Sequence, residues 1–528
     1  MSHNKTLNPQ GWGYIEDALS ENHRKPLVDA MQAFLGGRVA AHQPLCASDT
    51  IQLSPARHPV PDSLADFVSA DRQIRLLHAV GRSFRDLATL RAGVEVPAPD
   101  VVATPRDEGE LAAVLGWASD NDFAIIPFGG GSSVVGGINP EDMEHKPGVV
   151  TINLQALNKV LEVSERDRVV HAQAGILGPD LDAALKPHGL AVRHYPQSYF
   201  HSTLGGWVAT RGAGHFSTLR AKIEDRVQAL SITMPDSRVV ETRPLPASSV
   251  GPDPNRLWCG SEGALGIITD VRLRVVVDPE FKQSASISFK DFESALEAAR
   301  TIVQAELWPA QMRVLDPFEN MVSGAMSGRP GQGALMILGF EGPLPVDAQC
   351  AAAVEIAQAH GGKAKEKDEK GAGDWRDSFF RQPYLRDVLL DYAVLADTFE
   401  TAVPWSAVPA FYHLVREATL SAVNEVAGTG GVTCRVTHAY PDGVALYFSF
   451  YAPGQHDGLV KQWFEIKAAA SEAVIANGGT MSHHHAMGRD HKFWARQEVP
   501  PSFRKAIRGA KTAIDPQGLM NPGLWFDD

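Results

Sequence analysis

The sequence predicts an α+β protein: a helical N-terminal region (1–95), an α/β unit (96–280), a second α/β unit (281–480) and a final segment (481–528). Three observations carry this. Apolar residues recur at helical spacing in 27–35 and 74–90. A strand-like run at 123–127 is followed at once by a glycine-rich loop. Beyond 280, a β-rich stretch at 284–289 precedes helical patterns at 291–304 and 457–477.

Pro55, Pro59 and Pro61 separate the two N-terminal helical patterns, because proline lacks an N–H and does not fit a helix interior. A helix is expected over 108–118, then a turn at Asn121-Asp122 and the strand 123–127. Strands are expected at 149–154, 160–163, 169–173, 227–234 and 266–277, with a short helix near 179–186. Residues 361–373 mix lysines, acids and glycines and read as a solvated loop. The last fifty residues read as short, glycine-punctuated elements.

Of the 528 residues, 44% are hydrophobic and 21% charged, a folded globular composition rather than a disordered or collagen-like one. Lys plus Arg number 49 against 62 Asp plus Glu, and the net charge of −13 argues against a general nucleic-acid binder. Cys46, Cys259, Cys350 and Cys434 form no C-x-x-C unit, so neither an iron–sulfur cluster nor a zinc ribbon is read from them. No run approaches the roughly 18 apolar residues of a membrane span, and the first ten residues lack an apolar signal core. The C-terminal residues are no peroxisomal address, so a cytoplasmic location is expected.

The first loop, Pro127-Phe128-Gly129-Gly130-Gly131-Ser132-Ser133-Val134-Val135-Gly136-Gly137, packs five glycines and two serines into eleven positions. Successive amides unobstructed by side chains form a concavity for an anion, and serine hydroxyls add donors, so a pyrophosphate is the natural guest. A ligand-free glycine turn is the competing reading. The spacing fits neither the dinucleotide G-x-G-x-x-G nor a Walker loop. Two further glycine-rich segments follow: Thr203-Leu204-Gly205-Gly206-Trp207-Val208-Ala209-Thr210-Arg211-Gly212-Ala213-Gly214, and Gly260-Ser261-Glu262-Gly263-Ala264-Leu265-Gly266-Ile267-Ile268-Thr269.

On these three ordered loops the chain resembles the flavin-binding domain of the vanillyl-alcohol oxidase and p-cresol methylhydroxylase superfamily. The resemblance implies a two-subdomain PCMH-type FAD-binding domain, completed by 481–528, with 281–480 as a cap over the flavin. It implies cofactor contacts from Pro127, Gly129, Gly130, Gly131, Ser132, Ser133 and Gly136, from Thr203, Gly205, Gly206 and Thr210, and from Glu262, Gly263 and Ile268. The first loop holds no histidine or cysteine as a tether, so non-covalent FAD is expected. One departure stands out: Arg220-Ala221 occupy positions where the superfamily often has Tyr-Gly before its Ile-Glu-Asp, here Ile223-Glu224-Asp225.

Ser482-His483-His484-His485-Ala486-Met487-Gly488 carries three consecutive histidines. In an extended segment side chains alternate, so only His483 and His485 would share a face. A metal site would need further ligands, and a solvated cluster is the other bland reading. No metal is expected, because an imidazole beside a flavin serves better as acid or base. Here the resemblance narrows to the flavin-dependent alkyldihydroxyacetonephosphate synthases and their bacterial relatives, over nearly the whole chain. It is carried by Gly11-Trp12-Gly13-Tyr14, the three loops, Gln311-Met312-Arg313-Val314-Leu315-Asp316, Phe399-Glu400-Thr401-Ala402-Val403-Pro404-Trp405, Thr433-Cys434-Arg435-Val436-Thr437, Leu446-Tyr447-Phe448, Ala476-Asn477-Gly478-Gly479 with the histidines, and Asp515-Pro516.

In that family FAD performs no net oxidation: flavin N5 bonds the dihydroxyacetone unit, an acyl carboxylate leaves and a fatty alcohol replaces it. The resemblance implies Tyr447 as acid or proton relay, His483, His484 and His485 as the active-site histidine cluster, His194 and Arg313 as a pair beside the flavin, and Arg386 on the substrate phosphate. Read from chemistry alone, Arg313 and Arg386 suit a phosphate or a carboxylate equally, and each could be a structural ion-pair arginine. Tyr447 could be a core aromatic of a strand. Two enzyme readings stay open: ether-forming exchange on acyl-dihydroxyacetone phosphate, which needs a long apolar tunnel, and flavin-linked oxidation of a D-2-hydroxy acid or another alcohol. A binding module without activity is the third. The expected partner is an anionic or lipid small molecule, with a homodimer and peripheral membrane contact as further expectations and no nucleic acid.

Overall fold

The computed structural model describes residues 5–326, 331–364 and 371–525. The N-terminal region holds the helices Glu21–Phe34, Arg72–Leu77 and Phe84–Arg91. The helical pattern of 74–90 is thus two helices. The break falls at Gly81, whose N–H donates to Asn139 Oδ1 at 3.0 Å and where a Cβ would collide with the Ser133 carbonyl. The second helix restarts through a capping box, with Ser83 Oγ accepting from Asp86 N and the Asp86 carboxylate from Ser83 N. Arg82 N donates to Ser133 O at 2.6 Å, so this break pins the N-terminal region to the first glycine loop.

The part ahead of the cap is built on two larger sheets among the described residues, with a two-stranded pair, Leu190–Ala191 and Val276–Val277, beside them. The first runs in the order Val68–Ser69, Val101–Ala103, Val149–Asn153, Ala124–Phe128, and its last three strands are parallel. Apolar runs such as Val149–Asn153 suit a parallel sheet covered on both faces. Helix Glu108–Asp120 covers it, and Asp107 caps that helix by accepting from Glu110 N. The first glycine loop leaves the carboxyl end of Ala124–Phe128, where open α/β sheets bind ligands. Ile125 also bridges to Met520, so the C-terminal segment extends this sheet. The second sheet is antiparallel, in the order Val160–Ser164, Val169–Gln173, Ile267–Arg274, Val227–Thr233, Val239–Glu241.

The cap is an antiparallel sheet in the order Lys363–Ala364, Phe281–Phe289, Ala334–Gly342, Gln311–Leu315, Gly431–Ala439, Gly443–Pro453, Val394–Pro404. Helices Phe292–Gln304, Asp347–Ala359, Val408–Ala427 and Leu459–Ala476 pack on one face of it, and the interior between them holds Ile287, Phe399, Phe411, Leu446 and Phe448. Two expectations are corrected. Residues 371–373 open the helix Gly371–Leu390 rather than ending a loop, while 365–370 lie outside the described residues. The final segment is not all short elements: Pro501–Ile514 forms a helix that seats Ile507 and Ile514, a helical spacing, toward the body. Among the described residues no helix is long and apolar enough to cross a membrane.

Candidate active site

Close approach, rather than flexibility alone, explains the glycines. A Cβ on Gly130 would run into the His201 carbonyl and one on Gly129 into Thr203 Oγ1, so the first and second loops lie directly on each other. Gly131 turns the chain at φ +68°. Among the described residues the amides of Gly130 to Val134 donate to no acceptor, and these residues line a cleft. Thr203, Gly205, Gly206 and Thr210 line its second wall, and Glu262, Gly263 and Ile268 its third. A row of unengaged amides in a glycine cradle fits the diphosphate of FAD, so the residues present fit the cofactor. Gly136 is outside the cleft lining: at φ +67° it shapes the loop's exit, and its carbonyl accepts from Arg489. Glu262 reaches across to the histidine turn, accepting from Met487 N and Gly488 N, both at 3.0 Å. Burial pushes its carboxyl up to about 7 against those two hydrogen bonds.

Strand alternation builds the opposite wall. Glu400, Tyr447 and Arg435 are in register across three neighbouring strands. Their chain neighbours Phe399, Leu446, Phe448, Cys434 and Val436 fill the cap interior, so these three residues share the other face. Tyr447 donates to Thr398 Oγ1 at 2.9 Å, and the Arg435 guanidinium lies 4.5 Å from its ring centroid. Burial pushes the phenol up, with Arg435 working against the shift. Arg435 is itself paired with Glu319 at 2.8 Å. Arg313 comes from the adjacent strand, is buried, donates to the Met312 and Thr437 carbonyls and meets His215 Nδ1 at 3.4 Å. Burial lowers it to about 9, and among the described residues no acid lies within ion-pair distance of it. It is therefore a cation open to an anionic guest.

The histidine triplet is not extended. Its backbone curls around the buried Glu400 carboxylate, which accepts from Ser482 Oγ at 2.6 Å and from the N–H groups of His483, His484 and His485 at 2.6, 3.0 and 2.9 Å. That turn overrides the alternation expected for the segment: His484 and His485 line the cleft, and His483 points behind them to Tyr440. Burial works to raise Glu400, but the three imidazoles and the Ser482 hydrogen bond outweigh it and hold the carboxyl well below its ordinary range. Burial lowers His483 and His484 to about 4 and His485 to about 3, with Glu400 partly offsetting the effect. All three are neutral at pH 7. His438, His483 and His484, and likewise Glu400, His484 and His485, bring ligand atoms within 4.8 Å of one another. The imidazoles of His438, His483 and His484 are already hydrogen-bonded, His483 Nδ1 to His484 Nδ1 at 3.0 Å and His438 Nε2 to the Gly214 carbonyl at 3.0 Å, an arrangement suited to holding and moving protons.

A second cavity of about 640 Å³ adjoins the cleft. Leu27, Met31, Leu385, Leu389 and Ala396 form an apolar end between helices Glu21–Phe34 and Gly371–Leu390, while Thr398, Ser449 and Arg386 lie among its polar lining. Arg386 donates to the Arg82 carbonyl at 2.8 Å, and its guanidinium stands 5.8 Å from the Trp12 ring centroid. Of the two residues expected beside the flavin, Arg313 lines the cleft and His194 does not. His194 is buried against Trp207 with neither ring nitrogen hydrogen-bonded, and His215, two positions beyond Ala213, lies beside Arg313. Sequence reasoning also passed over Glu400, Arg435, His438 and Tyr440. Glu400 and Arg435 stood inside segments singled out above, but only register shows that they share a sheet face with Tyr447, where Arg435 lines the cleft and Glu400 lies buried under the histidine turn.

A cofactor cleft of glycine loops under an antiparallel cap that projects Tyr447, Arg313 and a histidine turn defines an FAD-dependent enzyme. Residues 99–243 match the FAD binding domain family, and 278–524 match the C-terminal domain of FAD linked oxidases. The alkyldihydroxyacetonephosphate synthase of Trypanosoma brucei brucei is 30% identical over 482 residues, covering 87% of this chain and 78% of that one. A solved alkyldihydroxyacetonephosphate synthase superposes with a TM-score of 0.82 at 26% identity, covering 98% of both chains. Substrate-bound p-cresol methylhydroxylase shares the fold at a TM-score of 0.65 and 11% identity, over 96% of this chain and 97% of its own. The chain belongs to the alkyldihydroxyacetonephosphate synthase family.

Proposed function

We propose that this enzyme exchanges the acyl group of acyl-dihydroxyacetone phosphate for a fatty alcohol, forming an ether lipid precursor. One observation carries the reading: Tyr447, Arg435 and His485 line both the cofactor cleft and the second cavity, so the apolar space opens onto the reacting face. A cavity of that size with an apolar end suits an acyl or alkyl chain, whereas oxidation of a small hydroxy acid has no use for it. Bound FAD supplies the nucleophilic nitrogen for the exchange. The chain's own residues do the rest. Arg386 suits the substrate phosphate from the second cavity, and Arg313, lacking an acid partner among the described residues, suits the carboxyl that departs. The phenol of Tyr447 stays protonated at neutral pH and can donate a hydrogen bond, while the neutral imidazoles of His484 and His485 can accept or return a proton.

A homodimer, peripheral contact with a lipid surface and a cytoplasmic location complete the proposal. The exposed side chains of Phe464, Phe493 and Phe503 support the lipid contact. Flotation with phosphatidylcholine vesicles and sedimentation of the purified protein test these parts. The test of the reaction is an anaerobic incubation of the flavin-loaded enzyme with acyl-dihydroxyacetone phosphate and a fatty alcohol, and separately with D-2-hydroxy acids. Alkyl-dihydroxyacetone phosphate with released fatty acid is the expected result. Bleaching of the flavin by a hydroxy acid with formation of a keto acid, and no ether product, would show an oxidoreductase instead.

A further inference from the structure

Behind the cleft a chain of hydrogen bonds leads away from the reacting face. His484 Nδ1 lies 3.0 Å from His483 Nδ1, and His483 Nε2 lies 2.6 Å from the Tyr440 hydroxyl. His484 lines the cleft, and its Nε2 has no partner among the described residues; His483 and Tyr440 do not line the cleft. Tyr440 begins the turn between Gly431–Ala439 and Gly443–Pro453, is half-buried, and precedes the exposed Pro441 and Asp442. Its N–H donates to Gly443 O at 2.8 Å and its carbonyl accepts from Trp405 Nε1 at 2.8 Å, which fixes its backbone at the end of these two strands. Lys222 Nζ holds the His483 carbonyl at 2.6 Å from the other side.

The geometry points to a proton relay in which His483 and Tyr440 connect His484 to the protein surface. It rests on the exchange reading above. Exchange breaks the bond between the dihydroxyacetone carbon and the acyl carboxylate, and later breaks the O–H bond of the alcohol as the ether bond forms. The acyl group departs as its carboxylate and takes no proton. The alcohol's proton passes to the open Nε2 of neutral His484, His484 Nδ1–H passes to His483 Nδ1, His483 Nε2–H passes to Tyr440, and Tyr440 gives its proton to water. The balance is one carboxylate and one proton released per turnover, with no electrons moved in the relay. Between turnovers water in the open cleft takes the proton of His484 Nε2 while Tyr440 takes one from water at the surface, and the same transfers run inward and return each ring to its starting tautomer. His483 and Tyr440 are positioning residues that act through His484.

The experiment uses flavin-loaded full-length protein. Nitrogen-15 spectra of labelled histidine in the resting enzyme read the tautomers, and turnover with acyl-dihydroxyacetone phosphate and a fatty alcohol in H2O and D2O reads proton transfer. Tyr440→Phe is expected to shift the ring-nitrogen signals of both His483 and His484. It is also expected to lower kcat by roughly tenfold or more at unchanged KM and to enlarge the solvent isotope effect. His483→Gln should give the same loss, and the double variant no further loss, as members of one chain are non-additive. Where Tyr440→Phe loses flavin, His483→Gln carries the same readouts. Unchanged histidine signals, wild-type kcat in Tyr440→Phe, or additive losses overturn the relay. A wild-type enzyme that exchanges nothing overturns the function and the relay together, whereas equal exchange by wild type and Tyr440→Phe overturns the relay alone.

Discussion

Ala221 sits at φ +62°, ψ 173°, a region that glycine tolerates and a Cβ strains. This is where the chain departs from the superfamily's Tyr-Gly, and the preceding Arg220 has gained a partner in Glu341 at 3.3 Å. Ala221→Gly is therefore expected to stabilise the protein by about 1 kcal/mol, read as a higher thermal midpoint, because the strain removed exceeds the entropy that glycine adds to the unfolded chain. At Gly130 the opposite holds: Gly130→Val drives a side chain into the His201 carbonyl and separates the first two loops. The purified variant should carry little flavin, measured by absorbance after denaturation. Burial depresses His485 from 6.5 to about 3, so on acidification the unfolded chain takes up the proton first. Its contribution is complete above pH 6.5 and declines as pH falls toward 3. Melting at pH 7 and pH 5 should show a smaller acid-induced drop for His485→Gln than for the wild type; an equal drop would mean that His485 is not held neutral.

Elements with a local signal were legible in the sequence. Helices Glu108–Asp120 and Phe292–Gln304 begin at Asp107 and Asp291, whose side chains cap them as their position before an apolar pattern suggests. Strand Val394–Pro404 gave no such signal. It is buried on both faces for much of its length, so hydrophobic residues do not alternate with polar ones. The turn of residues 482–485 has no local signal for a related reason: its conformation comes from the Glu400 carboxylate, some 80 residues earlier in the chain, as Ser482 Oγ to Glu400 shows. Helix Glu21–Phe34 has a consequence for substrate choice, since its Leu27 and Met31 wall the apolar end of the second cavity. Leu27→Trp should lower kcat/KM for long-chain alcohols by about tenfold or more while sparing short ones, in line with the cost of a crowded methylene in an apolar pocket. A chain-length profile that falls uniformly would place the alkyl chain elsewhere.

At the scale of the molecule, the active site exists only where the FAD-binding part meets the cap. Glu341, on the cap strand Ala334–Gly342, is buried and ion-paired to both Arg193 and Arg220 of the FAD-binding part. Glu341→Ala would leave two guanidiniums without their shared partner, at a cost of about 3–5 kcal/mol. Chemical denaturation should show this as an earlier transition. Loss of flavin at that same denaturant concentration would show that the contact holds the cleft together, and flavin lost only later would separate the two.

The sequence by itself determined the local chemistry: glycine loops behind a strand whose amides suit a diphosphate, an imidazole cluster, a tyrosine and arginines, and the family to which they point. These were legible because each depends on residues within a few positions of one another. Only the tertiary structure decided which of them meet. It placed His215 rather than His194 beside Arg313, wrapped three histidines around Glu400, brought Tyr447 and Arg435 into register, and opened an apolar cavity beside them. The reason is that strand pairing and domain contact join residues tens to hundreds of positions apart, and no local pattern encodes which side chain will occupy the far side of such a contact.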